Sequence, residues 1–273
     1  MSRFDPKLFV KLLLNKHVIH NSILGEIGGF LMKKAMIICV LGIFLVSITA
    51  APGYSQTAKE IIQKMIEATG GRKALESIDD STVSGTIELV QQGLSGEITI
   101  YKKEPSKMRL DIELMGMVIT QAYDGNLAWW TNPQTGATEE MPANEAAGMK
   151  RDALPRDATF NPEKYGISFA YKGKETLEGK DLYVIEQTYA DGFKVTLYVD
   201  CATYLVTKSK GTVSLEMGDM EFEQVITEYK KVHELMIAHK ITTYMNGAES
   251  RILIITDVQY NTGLEDSLFI MEE

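Results

Sequence analysis

Two histidines, His233 and His239 in the run VHELMIAHK, are the first candidates for chemistry in residues 52–273. Their spacing differs from the His-Glu-x-x-His pattern, which puts two zinc ligands on one helical face. A zinc site needs three or four N, S or carboxylate ligands, and no recognisable pattern nearby supplies the remainder. No metal is therefore expected. The chain has no Gly-x-Ser-x-Gly nucleophile elbow and no phosphate-binding loop. Gly70-Gly71 follows a helical pattern, whereas a phosphate loop precedes its helix. Carboxylate pairs such as Glu139-Glu140 and Asp79-Asp80 read as solvated turn charges rather than as an acid and a base. Cys201 is the one cysteine after residue 51, so an intramolecular disulfide there is impossible. It reads as a partly buried small residue in a strand turn. The residues predict neither a cofactor nor an enzyme.

In place of a reactive cluster the chain has alternation. Ile98 and Ile100 alternate with Glu97, Thr99 and Tyr101. Met108, Leu110, Ile112 and Leu114 alternate with Arg109, Asp111 and Glu113. A period of two means strands with one apolar and one wet face. Breakers stand where turns belong, at Glu104-Pro105-Ser106, Gly116 and Asp124-Gly125. Further strand patterns cover 83–90, 118–123 and 127–131, then 167–171, 182–189, 194–199, 205–210, 220–229, 238–244 and 251–260. Hairpin signals at Glu178-Gly179, Asp191-Gly192 and Asn246-Gly247 make the order an antiparallel meander. One helical segment precedes it, from Thr57, an N-cap with Glu60 three residues on, to a break at Gly70-Gly71. The stripe Ile61, Ile62, Met65 and Ile66 is its buried side. Residues 135–161 interrupt the strands with a helix-like stretch from Met141 to Met149, followed by a charged, irregular segment over 151–157.

A sheet of about eleven strands with one apolar face needs a cover, and two short helices are too small to provide all of it. Curling the sheet leaves a concave apolar surface beneath a thin lid. The expected fold is therefore α+β, a curved antiparallel sheet forming an unclosed half-barrel with an N-terminal helix and a short helical lid. Acyl chains suit such a surface, because each buried methylene contributes about 0.8 kcal/mol. The expected lining is Ile87, Leu89, Ile98, Ile100, Leu110 and Ile112, with Met141 and Met149 from the lid. Methionine suits adaptable apolar sites and ordinary cores alike.

The turn residues also carry a resemblance. Lys103-x-Pro105, then Asp124-Gly125-x-x-x-Trp129, then Asn132-Pro133, resembles the LolA-like outer-membrane lipoprotein-sorting family in order and spacing. Asp200-x-x-Thr203-Tyr204-Leu205 and Asp266-Ser267-Leu268-Phe269 are similar to later family segments. The resemblance implies a periplasmic carrier of acylated lipoprotein or lipid cargo. Its partners would be an inner-membrane release complex and an outer-membrane acceptor. It also implies Trp129 as the inward-facing member of the Trp129-Trp130 pair. A lipid-sensing module of the envelope, without transport, is the other function that the family offers. In the family an Arg precedes the Pro and latches the lid. Here the position is Glu104, and an ionised carboxylate can only accept hydrogen bonds. Its partner would be a free N–H of the lid, such as a helix N-terminus near Pro142 to Glu145, or a basic side chain such as Lys150 or Arg151. A solvated turn residue, with a looser lid, is the expected reading.

Export is expected from Met32-Lys33-Lys34 and the apolar run from Ala35 to Ile48, with small residues at Thr49-Ala50-Ala51 for cleavage. The run is short for a membrane span. Residues 1–31 read either as a start called too early or as a short extension carrying an amphipathic helix over 8–14. Residues 52–273 are expected to form a single domain. Six of the 28 basic and two of the 37 acidic residues precede it, which leaves 22 and 35 and a net charge of −13. Such a surface argues against nucleic acid and anionic membrane as partners. A monomer is expected.

Overall fold

The computed structural model describes residues 57–132, 135–215 and 218–272. The expected leader and the residues before it lie outside them. Among the described residues no helix is long and apolar enough to cross a membrane. Helix α1 (Ala58–Ala68) begins with the reciprocal capping box expected at Thr57: Glu60 N–H donates to Thr57 Oγ1 at 3.2 Å, and Thr57 N–H donates to Glu60 Oε2 at 2.9 Å. The helix buries Ile61 completely, against Tyr183, Ile185 and Val199. It stops at Gly70, whose φ of 128° suits glycine alone, and α2 (Gly71–Glu76) restarts at once. A side chain at Gly70 would meet Glu234 O at 2.5 Å, so the helix break also sets how closely the chain passes the sheet.

The strands are β1 (Asp80–Leu89), β2 (Leu94–Lys103), β3 (Lys107–Leu114), β4 (Met117–Tyr123), β5 (Ala128–Thr131), β6 (Thr138–Glu140), β7 (Ser168–Leu177), β8 (Lys180–Thr188), β9 (Lys194–Asp200), β10 (Val206–Leu215), β11 (Gly218–Val232), β12 (Leu235–Met245) and β13 (Ala248–Tyr260). They form one antiparallel sheet of thirteen strands rather than about eleven, in the order 6-5-4-3-2-1-13-12-11-10-9-8-7. Two meanders run outward from a central β1–β13 pair, and the sheet stays unclosed because β6 and β7 remain edges. The predicted turns hold: Gly179, Gly192, Asn246 and Gly247 all take positive φ. Register shifts interrupt the ladders at Ser84/Gly85, Tyr171/Gly173, Val206/Lys208 and Thr243/Tyr244. Each such shift sharpens the local twist, which is how a sheet this wide curls.

Opposed residues of an antiparallel pair share a face. Val83↔Ile100, Ile98↔Ile112, Ile100↔Leu110 and Ile87↔Leu253 therefore define one apolar side running through the sheet centre. Helix α3 (Ala143–Asp152), the short α4 (Asp157–Phe160) and a 3-10 turn (Pro162–Tyr165) connect edge β6 back to edge β7 over this side. Helix α1 packs on the same side of β8 and β9. The other side is largely wet, except where Leu182, Val184 and Tyr198 form a small buried cluster on β8 and β9 and where the C-terminal segment crosses it. Asp80 anchors that segment by accepting from the N–H groups of Thr262, Gly263 and Leu264 at 2.8–3.2 Å.

Candidate functional site

The concave side is roofed in two blocks. In the first, Met141, Ala146, Met149 and Ala153 pack on Met108 and Ala128, with Ile100, Tyr123 and Trp130 around them. Met141 and Met149 are 5% and 7% exposed, so they are plugs that seat the helix, each contributing about 1.5–3 kcal/mol by burial. In the second block, α1 and α4 leave an apolar cavity of about 360 Å³ over β7–β9, lined by Ile62, Met65, Leu154, Ala158, Phe169 and Leu197 among others. A wider cleft of about 1200 Å³ opens between α3 and the turns of β8–β9, β10–β11 and β12–β13. Its walls mix charged residues such as Glu145, Arg151, Asp191 and Glu221 with apolar ones such as Phe193, Val213 and Phe222, whereas the smaller space is mainly apolar.

The roof is tied down at several points. Glu104 accepts the backbone N–H of Arg156 through both carboxylate oxygens, at 3.1 and 3.2 Å, and Arg156 Nη2 lies 3.5 Å from Oε1. Arg156 Nη1 also donates to Leu75 O at 2.8 Å, which brings α2 into the same knot. Glu104 is thus a latch and not a solvated turn residue. The sequence reading allowed it a free N–H or a basic side chain as partner, and Arg156 is both. The helix start near Pro142 to Glu145, Lys150 and Arg151, the partners expected for it, do not serve it. Lys102 Nζ donates to Asp152 O at 2.9 Å, a cation on the last carbonyls of α3. Arg151 pairs with Asp191 and lies 4.0 Å over the Phe193 ring, which fastens the same helix to the β8–β9 turn. Lys164, Asn161 and Tyr165 hold the Asp157 carboxyl down at about 2 and so tie α4 to the turn after it.

Ile87, Leu89, Ile98, Ile100, Leu110 and Ile112 all lie on the concave phase, with Ile87 and Ile98 buried and the others half-buried. None of the nine expected lining residues borders either of the two open spaces described above. Trp129 faces the opposite side. Trp130 opposes Gln121, and Ala128 opposes Tyr123, so Trp130 takes the concave phase with Ala128. The reason is the C-terminal segment. Its 3-10 turn (Asp266–Phe269) buries Phe269 fully and offers Phe269 O to Trp129 Nε1 at 2.8 Å. Arg109 Nη1 donates to Leu268 O, and Lys103 and Lys107 both pair with Asp266. The outer indole is thereby covered and hydrogen-bonded.

Sequence reasoning missed Trp130, Arg156 and Arg251. A signal existed for the last: Arg251-x-Leu253-x-Ile255 places a cation on the apolar phase of β13. Burial pushes its guanidinium down, against the opposing pull of Asp152. Burial likewise pushes the Asp152 carboxyl up, although Lys102, Arg151 and Arg251 favour its charged form. Asp152 nevertheless keeps much of its surface accessible.

No protein-family model matches the sequence, and no curated protein matches it. Solved structures do. A LolA superfamily protein from Nitrosomonas europaea is similar at TM-score 0.56 and 16% identity, covering 79% of this chain and 98% of that one. A DUF1329 family protein from Desulfovibrio piger gives TM-score 0.56 at 13% identity, with the same two coverages. A domain from Vibrio parahaemolyticus, provisionally named for outer membrane lipoprotein sorting, gives 0.53 at 17%, covering 78% of this chain and 97% of that one. At these identities the likeness is one of fold, and the chain shares the unclosed half-barrel of these structures.

Proposed function

We propose that the protein is an exported, periplasmic carrier that holds the acyl chains of lipoprotein or lipid cargo non-covalently against the concave face. No bond is made or broken. The observation that carries this reading is the continuous apolar phase through Ile100, Val83, Ile87 and Leu253 beneath a roof latched by Glu104. Elements that only needed to bury that face would close the sheet or cover it with longer helices. Latched short helices instead make a roof that can open at small cost. Residues 32–51 would be the leader and 52–273 the carrier domain. The fold shared with lipoprotein-sorting structures supports the same cargo class and the same compartment.

The wide cleft beside α3, with charged and apolar walls, favours a second reading, in which a protein partner docks there and is told whether the concave face is occupied. Isolation of the exported protein and native mass spectrometry of its bound material test the carrier reading. The expected result is a mass shift matching one acyl lipid per chain. A protein that is always lipid-free, and that takes up none when offered, overturns it.

A further inference from the structure

Five arginines lie among the described residues. Four hold carboxylates: Arg72 with Glu76, Arg109 with Asp111, Arg151 with Asp191 and Arg156 with Glu104. Arg251 has no hydrogen bond or ion pair with any described residue, and it is half-buried. It opposes Leu89 on β1 and Thr243 on β12, which puts it on the concave phase. Asp152, at the end of α3, is close enough to act on it through space, but the two form no ion pair. The backbone carbonyl of Asp152 is already taken by Lys102. The half-buried guanidinium therefore keeps its donors free, and a carboxylate or phosphate fits its fork with two parallel hydrogen bonds.

Its position along the strand suggests what the anion is attached to. Arg251 sits near the Asn246-Gly247 turn, at the end of the sheet where the wide cleft opens. From there Leu253, Ile255 and Val258 continue the concave phase of β13 beside Ile87 and Val83 of β1. That apolar track runs for about 20 Å. We infer that the concave site selects acyl ligands with an anionic headgroup, carboxylate or phosphodiester, held by Arg251 at the open end while the chain lies along Leu253, Ile87 and Val83. This inference rests on the acyl-carrier reading and adds a headgroup to it.

The test is displacement of a neutral fluorescent apolar probe from the delipidated exported protein. The competitors are hexadecanoic acid, its methyl ester, phosphatidylglycerol and diacylglycerol. Hexadecanoic acid is expected to compete at least tenfold better than the ester if the headgroup is a carboxylate. Phosphatidylglycerol is expected to outcompete diacylglycerol by a similar factor if it is a phosphodiester. In Arg251→Met the preference should vanish while the neutral ligands bind as before, and Arg251→Lys should keep part of it. Equal competition by charged and neutral ligands in the wild type overturns the headgroup assignment but leaves the carrier reading standing. Failure of every competitor overturns both. If Arg251 only balances Asp152, Arg251→Met lowers the melting temperature, Asp152→Asn restores it, and the charged-to-neutral ratio does not move. That pattern also overturns the assignment.

Discussion

Replacing Glu104 should open the roof, and the geometry sets by how much. A hydrogen bond to a charged group contributes about 1.5–3 kcal/mol. About a third of the Glu104 side chain is exposed, so the low end applies. The 3.5 Å contact with Arg156 Nη2 adds about 0.5 kcal/mol as a partly exposed ion pair. Glu104→Ala should therefore cost about 2 kcal/mol, a rise of roughly 30-fold in the open-to-closed ratio of the α3–α4 segment. Glu104→Gln keeps one acceptor without its charge and should cost about half as much, roughly fivefold in the same ratio. Glu104→Arg should loosen this roof further, because it sets a second cation and more donors against Arg156. The assay is amide exchange of residues 153–161, with the release rate of a bound fluorescent fatty acid measured on the same samples. Exchange there that is unchanged in Glu104→Ala, with the fold intact, would refute the latch. Slower release in Glu104→Arg would show a backbone acceptor in reach and restore the arginine mechanism.

Asp80 makes a pH-dependent prediction. Burial alone would push its carboxyl up, but three backbone N–H groups and the Thr262 hydroxyl hold it below the usual carboxylate range. Its folded value is lower than its unfolded one, so its contribution is complete above pH ~4 and is lost as pH falls through the folded value. Asp80→Asn should cost about 1–3 kcal/mol at neutral pH and flatten the acid limb of the melting-temperature profile relative to wild type. The C-terminal segment would also loosen, and the emission of Trp129 should shift to the red. A parallel profile in the variant would contradict the assignment. Gly85→Ala would put a Cβ 2.2 Å from Ile254 O, so β1 and β13 must part at the seam between the two meanders. A loss above about 2 kcal/mol in denaturant unfolding is expected, and a neutral outcome would mean the register there is wrong. N-terminal sequencing of exported protein should find a start within a few residues of Ala51, whereas retention of residues 38–48 would make the protein membrane-anchored.

Local rules accounted for much of the fold. The capping box at Thr57, the break at Gly70-Gly71 and the paired apolar phases of β2 and β3 all follow from a few neighbouring residues. β6 escaped because Thr138–Glu140 is short and polar and carries no alternation to read. The tryptophan pair shows a different limit. Alternation says that Trp129 and Trp130 face opposite ways, but which one faces in depends on a C-terminal segment about 140 residues away. The partner of Glu104 is likewise remote, 52 residues on, in a stretch whose composition reads as irregular. Arg251 was legible as a cation on an apolar phase. Its half-burial and its lack of a carboxylate partner among the described residues show only in the structure.

The central claim is that the ligand lies on the concave phase, and adjacent residues of β13 separate the two faces. Leu253 points to the lumen, whereas Ile254 points outward and is 43% exposed. A fatty acid carrying a photoreactive diazirine on its chain, irradiated in complex with the protein and mapped by peptide mass spectrometry, reports which face it touches. Adducts on Ile87, Ile98 and Leu253, with Ile254 and Trp129 unlabelled, are the result this account predicts. Labelling concentrated on Ile254 or on the exposed Met115 and Met117, with the concave residues untouched, would contradict it.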